Sequence, residues 1–197
     1  MTIISSTYLS GQGLNGGAPG FWSDTAAVDG DRPPWRRAPQ GSIYLYRPTA
    51  NQVEWHQKVK DGGRNDDWVL FEGIISQRVS YTDFTDGGGA TGTKDLNASI
   101  PVGAYFINTL VTDLDDFVGS AVVTFTIGDG TTADRYNTGT PSAAADGDIL
   151  SVGVPSGTLL HTAAKTPKIT ITDDSDFGDI TAGAMTVTMF YRGVPLG

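Results

Sequence analysis

The chain has 197 residues, with 13 Lys and Arg against 22 Asp and Glu, a formal net charge of −9 with both histidines neutral. An acidic chain is excluded as a generic polyanion binder, because non-specific nucleic-acid affinity comes from neutralising phosphates. No stretch approaches the roughly 20 consecutive apolar residues of a membrane-spanning helix, and the absence of cysteine excludes disulfides, thiolate zinc sites and a cysteine nucleophile.

Thr2-Ile3-Ile4 and the serines after it lack the basic start and apolar run of a secretory signal, so the chain is expected to stay in the cell that makes it. Glu54 and Glu72 are its two glutamates; the other acids are aspartates. Aspartate favours turns and caps where glutamate favours helices. Combined with 26 glycines and 10 prolines, that bias predicts an all-β fold.

Residues 1–40 hold Gly11, Gly13, Gly16, Gly17, Gly20 and Gly30 with Pro19, Pro33, Pro34 and Pro39, and show no period of 2 or 3.6. They read as an extended N-terminal arm. Phe21, Trp22 and Trp35 are too apolar to be left in water and imply docking. Gly11-Gln12-Gly13-Leu14-Asn15-Gly16 has the glycine spacing of a dinucleotide loop, but Gly17-Ala18-Pro19-Gly20 cannot start the helix that loop requires. Within the arm, Arg32-Pro33-Pro34-Trp35-Arg36-Arg37 joins stiffening prolines to an aromatic anchor and carboxylate-pairing guanidiniums, the composition of an interface hot spot. Trp22, Arg32, Trp35, Arg36 and Arg37 are therefore the candidate partner-docking residues; packing back onto the next segment is the alternative.

Residues 41–84 predict a small β-meander, with runs at 42–47, 53–59 and 67–75 and a further strand near 78–81. Asp61-Gly62-Gly63-Arg64-Asn65-Asp66 reads as its hairpin loop. Tyr44, Tyr46, Trp55, Trp68 and Phe71 are expected to supply its half-buried face. Residues 85–95, with Gly87-Gly88-Gly89 and Gly92, read as a glycine-rich linker; the P-loop spacing is broken there by Thr93 before Lys94.

Residues 96–197 predict a β-sandwich or jelly roll. Val123, Phe125 and Ile127 alternate with threonines, as do Ile169 and Ile171, and Met185, Val187, Met189 and Tyr191, placing one face on a core. Further runs at 104–111, 149–154 and 158–161 give the strand density of a sandwich.

Catalytic chemistry finds little purchase. His56 and His161 are the two histidines, no Gly-x-Ser-x-Gly elbow occurs, and both histidines read as surface or interface residues. Placed in different domains, they make a poor transition-metal pair. Asp113, Asp115 and Asp116, Asp146 and Asp148, and Asp173, Asp174 and Asp176 place carboxylates on expected loops where calcium could collect oxygens. None follows the EF-hand spacing, and turn formation is the simpler role. No enzyme activity and no cofactor are expected.

Ala38-Pro39-Gln40-Gly41-Ser42-Ile43-Tyr44-Leu45-Tyr46, then Trp55, Lys58 and Gly63-Arg64-Asn65-Asp66-Asp67-Trp68, resemble a hairpin signature of tailed-bacteriophage virion proteins. Ser99-Ile100-Pro101-Val102-Gly103-Ala104, Val123 to Gly130 with Asp134, and Ile180 to Tyr191 resemble their appended β-sandwich domains. Together these stretches cover most of residues 38–192. The resemblance implies a virion structural protein, most like a capsid decoration (cement) or head-fibre protein. It further implies the major capsid protein as partner, a homotrimer on the outer capsid surface made in the host bacterial cytoplasm, and neither nucleic acid nor membrane as partner. The alternative is a tail-fibre or baseplate-associated protein whose sandwich binds a saccharide, with Tyr105, Tyr136 or Tyr191 as stacking residues.

Overall fold

The computed structural model of the chain describes residues 20–23, 43–59, 68–120, 122–144, 147–149 and 159–193. The fold is all-β: the described residues form eleven strands and two single 3-10 turns, at Tyr81–Asp83 and Phe177–Asp179, and no α-helix. The chain divides into two compact units, residues 1–74 with 192–197, and residues 75–191.

In the first unit, β1 (Gly20–Ser23) runs parallel to β2 (Ile43–Thr49), with Gly20 against Ile43 and Ser23 against Tyr46. The expected irregular arm thus contributes a strand that occupies the edge of β2, an edge otherwise open to pairing. β2 pairs antiparallel with β3 (Gln52–Lys58), Leu45 against Trp55, and the register shifts between Tyr46 and Thr49. Pro48 sits in that shift, where a missing N–H does least harm to the ladder. The hairpin closes through Ala50 and Asn51, fastened by Arg47 Nη2 donating to the Ala50 carbonyl (2.8 Å) and the Asn51 N–H donating to Thr49 Oγ1 (3.3 Å). β4 (Trp68–Ser80) neighbours β3. Two short runs expected at 67–75 and 78–81 are this one strand, and it crosses from the first unit into the second. The loop at Asp61–Asp66 lies outside the described residues.

The expected aromatic face of this meander is corrected at Phe71. Trp55 is half-buried, but Phe71 is 63 % exposed, and the side chains of Tyr44, Tyr46 and Trp68 lie outside the described residues. The residues that β3 buries are Gln52, Glu54 and Lys58.

In the second unit, one sheet runs in the order β4, β11 (Ala182–Gly193), β7 (Ala104–Val118), β9 (Gly147–Ile149); the other runs β5 (Thr85–Asp86), β6 (Thr91–Asp95), β10 (Lys168–Thr172), β8 (Thr124–Gly128). Antiparallel register sets Ile169 against Lys94 and Ile127, and Ile171 against Gly92 and Phe125. Those inward positions alternate with Thr93, Thr126, Thr170 and Thr172 on the outward face, the period of a strand buried on one side. The core is Ile75, Val79, Phe106, Val111, Phe117, Phe125, Ile127, Ile169, Ile171, Met185, Val187, Met189 and Tyr191, each almost wholly buried.

The expected linker at 85–95 is instead β5, a turn and β6. Gly92 serves packing: a Cβ there would overlap the Phe177 ring, and Phe177 in turn meets Phe84, which meets Phe117 edge-on (centroids 6.0 Å apart, planes at 87°). Gly183 does the same for Phe117 at φ +127°, a conformation that other residues rarely adopt. β7 was expected to end near 111, yet continues to Val118. Its buried positions, Ala104, Phe106, Thr109, Val111, Leu114 and Phe117, step by two and by three, so the strand changes phase. One shift falls between Val111 and Leu114 opposite β9, where Asp113 takes φ 47°, a left-handed conformation that also occurs in one type of bulge.

Candidate functional site

The arginine and tryptophan residues singled out in the sequence cannot be placed together: Arg32, Trp35, Arg36 and Arg37 lie outside the described residues, and for Trp22 the described feature is its backbone position in β1, paired with Leu45. Three polar clusters are described instead, one in the first unit and two in the second.

In the first unit, alternation puts Gln52, Glu54 and His56 on one face of β3. Gln52 Nε2 donates to Glu54 Oε1 (2.8 Å), and His56 Nε2 lies 3.0 Å from Glu54 Oε2. Glu54 is buried, so these bonds compensate for the water it has lost.

In the second unit, the turn after β8 is organised by Asp129, whose side chain is 1 % exposed. Its carboxylate accepts from the N–H groups of Thr131 (3.0 Å) and Thr132 (2.8 Å) and pairs with Arg135 Nη1 and Lys165 Nζ, each at 3.3 Å. Burial opposes its ionisation, but the Thr132 and Thr131 amides and Lys165 outweigh burial and hold the carboxyl below its usual value. Gly128 is obligatory beside it, since a Cβ there would strike the backbone of Thr132 and Ala133. Beyond the turn, Asn137 Oδ1 accepts from the Ile127 N–H (2.8 Å) and its Nδ2 donates to the Gly139 carbonyl (3.0 Å), which ties the loop back along β8.

Tyr136 and His161 pack against this turn. Their rings stack with centroids 5.8 Å apart and planes at 20°, Tyr136 leans on Phe106 at 4.9 Å, and Tyr136 Oη lies 3.5 Å from His161 Nε2. His161 is 1 % exposed, against the expectation of a surface position, and its Nδ1 finds no hydrogen-bond partner among the described residues. Burial first, then the Arg135 and Lys165 cations, push its imidazole down to about 4, with Asp129 opposing. Burial raises the Tyr136 phenol. The stacking role expected of Tyr136 and Tyr191 under the saccharide reading is corrected: both are fully buried, as core aromatic rings between apolar faces should be. Tyr105 is half-buried.

The third cluster fastens the turn from β7 to β8. Asp173 is buried, its Oδ2 accepts from the Ser120 N–H (2.9 Å) and its Oδ1 from the Ser175 N–H (2.8 Å), while Ser120 Oγ donates to Asp179 Oδ2 (3.0 Å). Burial again opposes the charge, and the Ser120 and Ser175 bonds prevail, so the carboxyl stays below its usual value. A Cβ on Gly119 would overlap the Asp173 carboxylate. Backbone bonds from Thr181 to Val118 (2.9 Å) and from Ala143 to Val123 (2.8 Å) complete the clamp. Val118 and Val122, next to the buried Phe117 and Val123, are 47 % and 59 % exposed, as alternation along a strand requires.

Several of the aspartates read above as turn formers, with calcium as the lesser alternative, are bound within the fold. Asp113, Asp115 and Asp116 lie within β7 and not on a loop; Arg78 binds the Asp113 carbonyl and the Asp115 carboxylate, Thr186 Oγ1 donates to Asp113 (3.2 Å), and Asp148 accepts from the Asp113 N–H (3.0 Å). Asp176 accepts from the Gly178 N–H (2.7 Å) and caps a 3-10 turn. Among the described residues no group of three or more His, Asp or Glu side chains is placed to hold a metal.

No protein-family model matches the chain, and no curated protein matches it. Among solved structures, the chain is similar to one described as "Cyanophage Pam1 capsid asymmetric unit", at 19 % identity and a TM-score of 0.42 over 62 % of this chain and 85 % of that one.

Proposed function

We propose that the chain is a structural, non-catalytic component of a tailed-phage virion that binds the capsid shell as a decoration (cement) protein, with the major capsid protein as its partner and a trimer as its working form. What supports the reading is the resemblance of stretches between Ala38 and Tyr191 to the hairpin and sandwich segments of tailed-phage virion proteins. The division of charge is in keeping with it. The first unit holds eight basic and eight acidic residues and is neutral, while the second holds five and fourteen and carries the whole −9. A neutral unit suits attachment, and an acidic one suits a surface that stays solvated and repels its neighbours. An extended arm covers more partner surface per residue than a globule does, and several modest contacts to neighbouring capsid subunits add up through effective concentration. The saccharide alternative has lost two of its three stacking candidates to the core.

Copy number tests the reading. Quantitative mass spectrometry of separated heads and tails is expected to find many copies on heads, in simple proportion to the capsid protein. A few copies on tails would move the chain to adhesion, and absence from both would end the virion reading. Sedimentation of the purified chain is expected at trimer mass; a monodisperse monomer that still saturates heads overturns the trimer.

A further inference from the structure

We propose that copies of this chain meet through the edge of the second unit where the start of β7 pairs with residues 159–161, with Val102, Tyr105, Ile107 and Leu160 at the contact. The inference rests on the trimer proposed above and assigns the surface that holds it together.

Backbone pairing joins these side chains. The Phe106 N–H donates to the Leu159 carbonyl (2.9 Å) and the His161 N–H to the Ala104 carbonyl (2.8 Å), which sets Tyr105 directly opposite Leu160 between the two bonds. In that arrangement antiparallel neighbours bring their side chains closest. Ile107 lies two residues along β7 on the same outward face, since Ala104 and Phe106 are buried on the other. Val102 stands in the turn that enters β7, and the Gly103 N–H ties that turn to the His161 carbonyl (2.7 Å). Tyr105 is half-buried, while Val102, Ile107 and Leu160 are 64 %, 45 % and 39 % exposed.

Charge selects the occupant. The five basic and fourteen acidic residues of the second unit all fall outside 96–112 and 149–164, although these two stretches make up more than a quarter of it. Exposed apolar side chains on a surface cleared of charge have the composition of an interface centre. A cationic partner is drawn to carboxylates and needs no such clearing. A second copy is equally acidic and is repelled wherever carboxylates face one another. Near the axis of a cyclic trimer, moreover, each residue meets its own equivalents from the other copies, so a charge there would face the same charge.

Analytical ultracentrifugation of the purified full-length chain, over a range of concentration and salt, tests the assignment. The wild-type chain is expected to reach trimer mass and to associate more tightly as salt screens the remaining repulsion between copies. Ile107→Asp with Leu160→Asp puts like charges into the contact and is expected to weaken association at least about tenfold. A variant that keeps the wild-type circular dichroism melt and the wild-type association overturns this surface and leaves the trimer standing. Wild-type association that weakens with salt also overturns it, because the contact would then depend on opposite charges. If the aspartate variant fails to fold, single cysteines in this cysteine-free chain decide. Ile107→Cys is expected to be cross-linked between copies by a short bismaleimide far more than Thr170→Cys, on the outward face of the other sheet; equal or reversed yields overturn the proposal. A wild-type chain that stays monomeric at every concentration removes the trimer itself and this contact with it.

Discussion

His161 is a buried imidazole facing two cations, and its consequence is a pH-dependent stability. The groups around it are Tyr136, Arg135, Lys165 and Asp129, and its folded value of about 4 lies below the ordinary 6.5. The unfolded chain therefore takes up a proton as pH falls below 6.5, while the native chain resists until pH nears 4. Stability is full above pH 6.5 and is lost progressively down to about 4, by on the order of 3 kcal/mol. Urea unfolding at pH 7 and pH 4.5 should show that loss, and His161→Phe, which keeps a ring against Tyr136, should be nearly flat over the same interval. An equal pH response in the variant would assign the loss to other groups. Asp173 gives a second, separate test. Truncation by Asp173→Ala leaves the Ser120 and Ser175 N–H groups without their acceptor in a buried place, a cost of about 1 to 3 kcal/mol. Its carboxyl value is lowered, so the stabilisation it supplies is present above the ordinary 3.8 and is lost as pH falls below that. Hydrogen exchange should find the Ser120 and Ser175 amides faster in the variant; unchanged protection would mean that the turn is held without Asp173.

At the scale of elements, glycines and aromatic rings set the packing that alternation cannot specify. Gly92 on β6 lies under Phe177, so Gly92→Ala forces the ring aside and is expected to cost about 1 to 3 kcal/mol as overpacking. In a Phe177→Ala background the same change should cost much less, since the space it needs is already vacated. A double-mutant cycle by thermal or urea unfolding measures the coupling, and additive effects would show that the ring and the glycine do not meet. The same pair explains what could and could not be read from the sequence. β8, β10 and β11 were legible because Phe125 and Ile127, Ile169 and Ile171, and Met185 to Tyr191 alternate cleanly with threonines. β5 and β6 were not, because Gly87 to Gly92 carries a linker's composition and its packing reason, the Phe177 ring, comes 85 residues later. The end of β7 was hidden by Asp113, Asp115 and Asp116, turn residues by propensity, which the bulge and Arg78 accommodate within a strand. Burial of His161 had no local signal either, since it depends on Tyr136 and Phe106 brought in from elsewhere in the chain.

Over the whole molecule, the two units differ in charge more than in kind of structure, and the difference separates their expected responses to salt and mutation. The first unit is neutral overall but has Arg32, Arg36 and Arg37 close to Trp35 in the sequence, outside the described residues. If those residues anchor the arm on the capsid, Trp35→Ala with Arg36→Ala removes the anchor and one guanidinium together, and head occupancy should fall at least tenfold, the loss typical of a hot spot. The second unit has its own core, from Ile75 to Tyr191. Its thermal unfolding should therefore move by no more than the roughly 0.5 kcal/mol of an ordinary distant substitution. Calorimetry and head occupancy measured on the same preparation distinguish the cases. Lost occupancy with an unchanged melt assigns the arm to docking, whereas a lowered melt with unchanged occupancy would mean that Trp35 packs within the chain and that attachment resides in other residues.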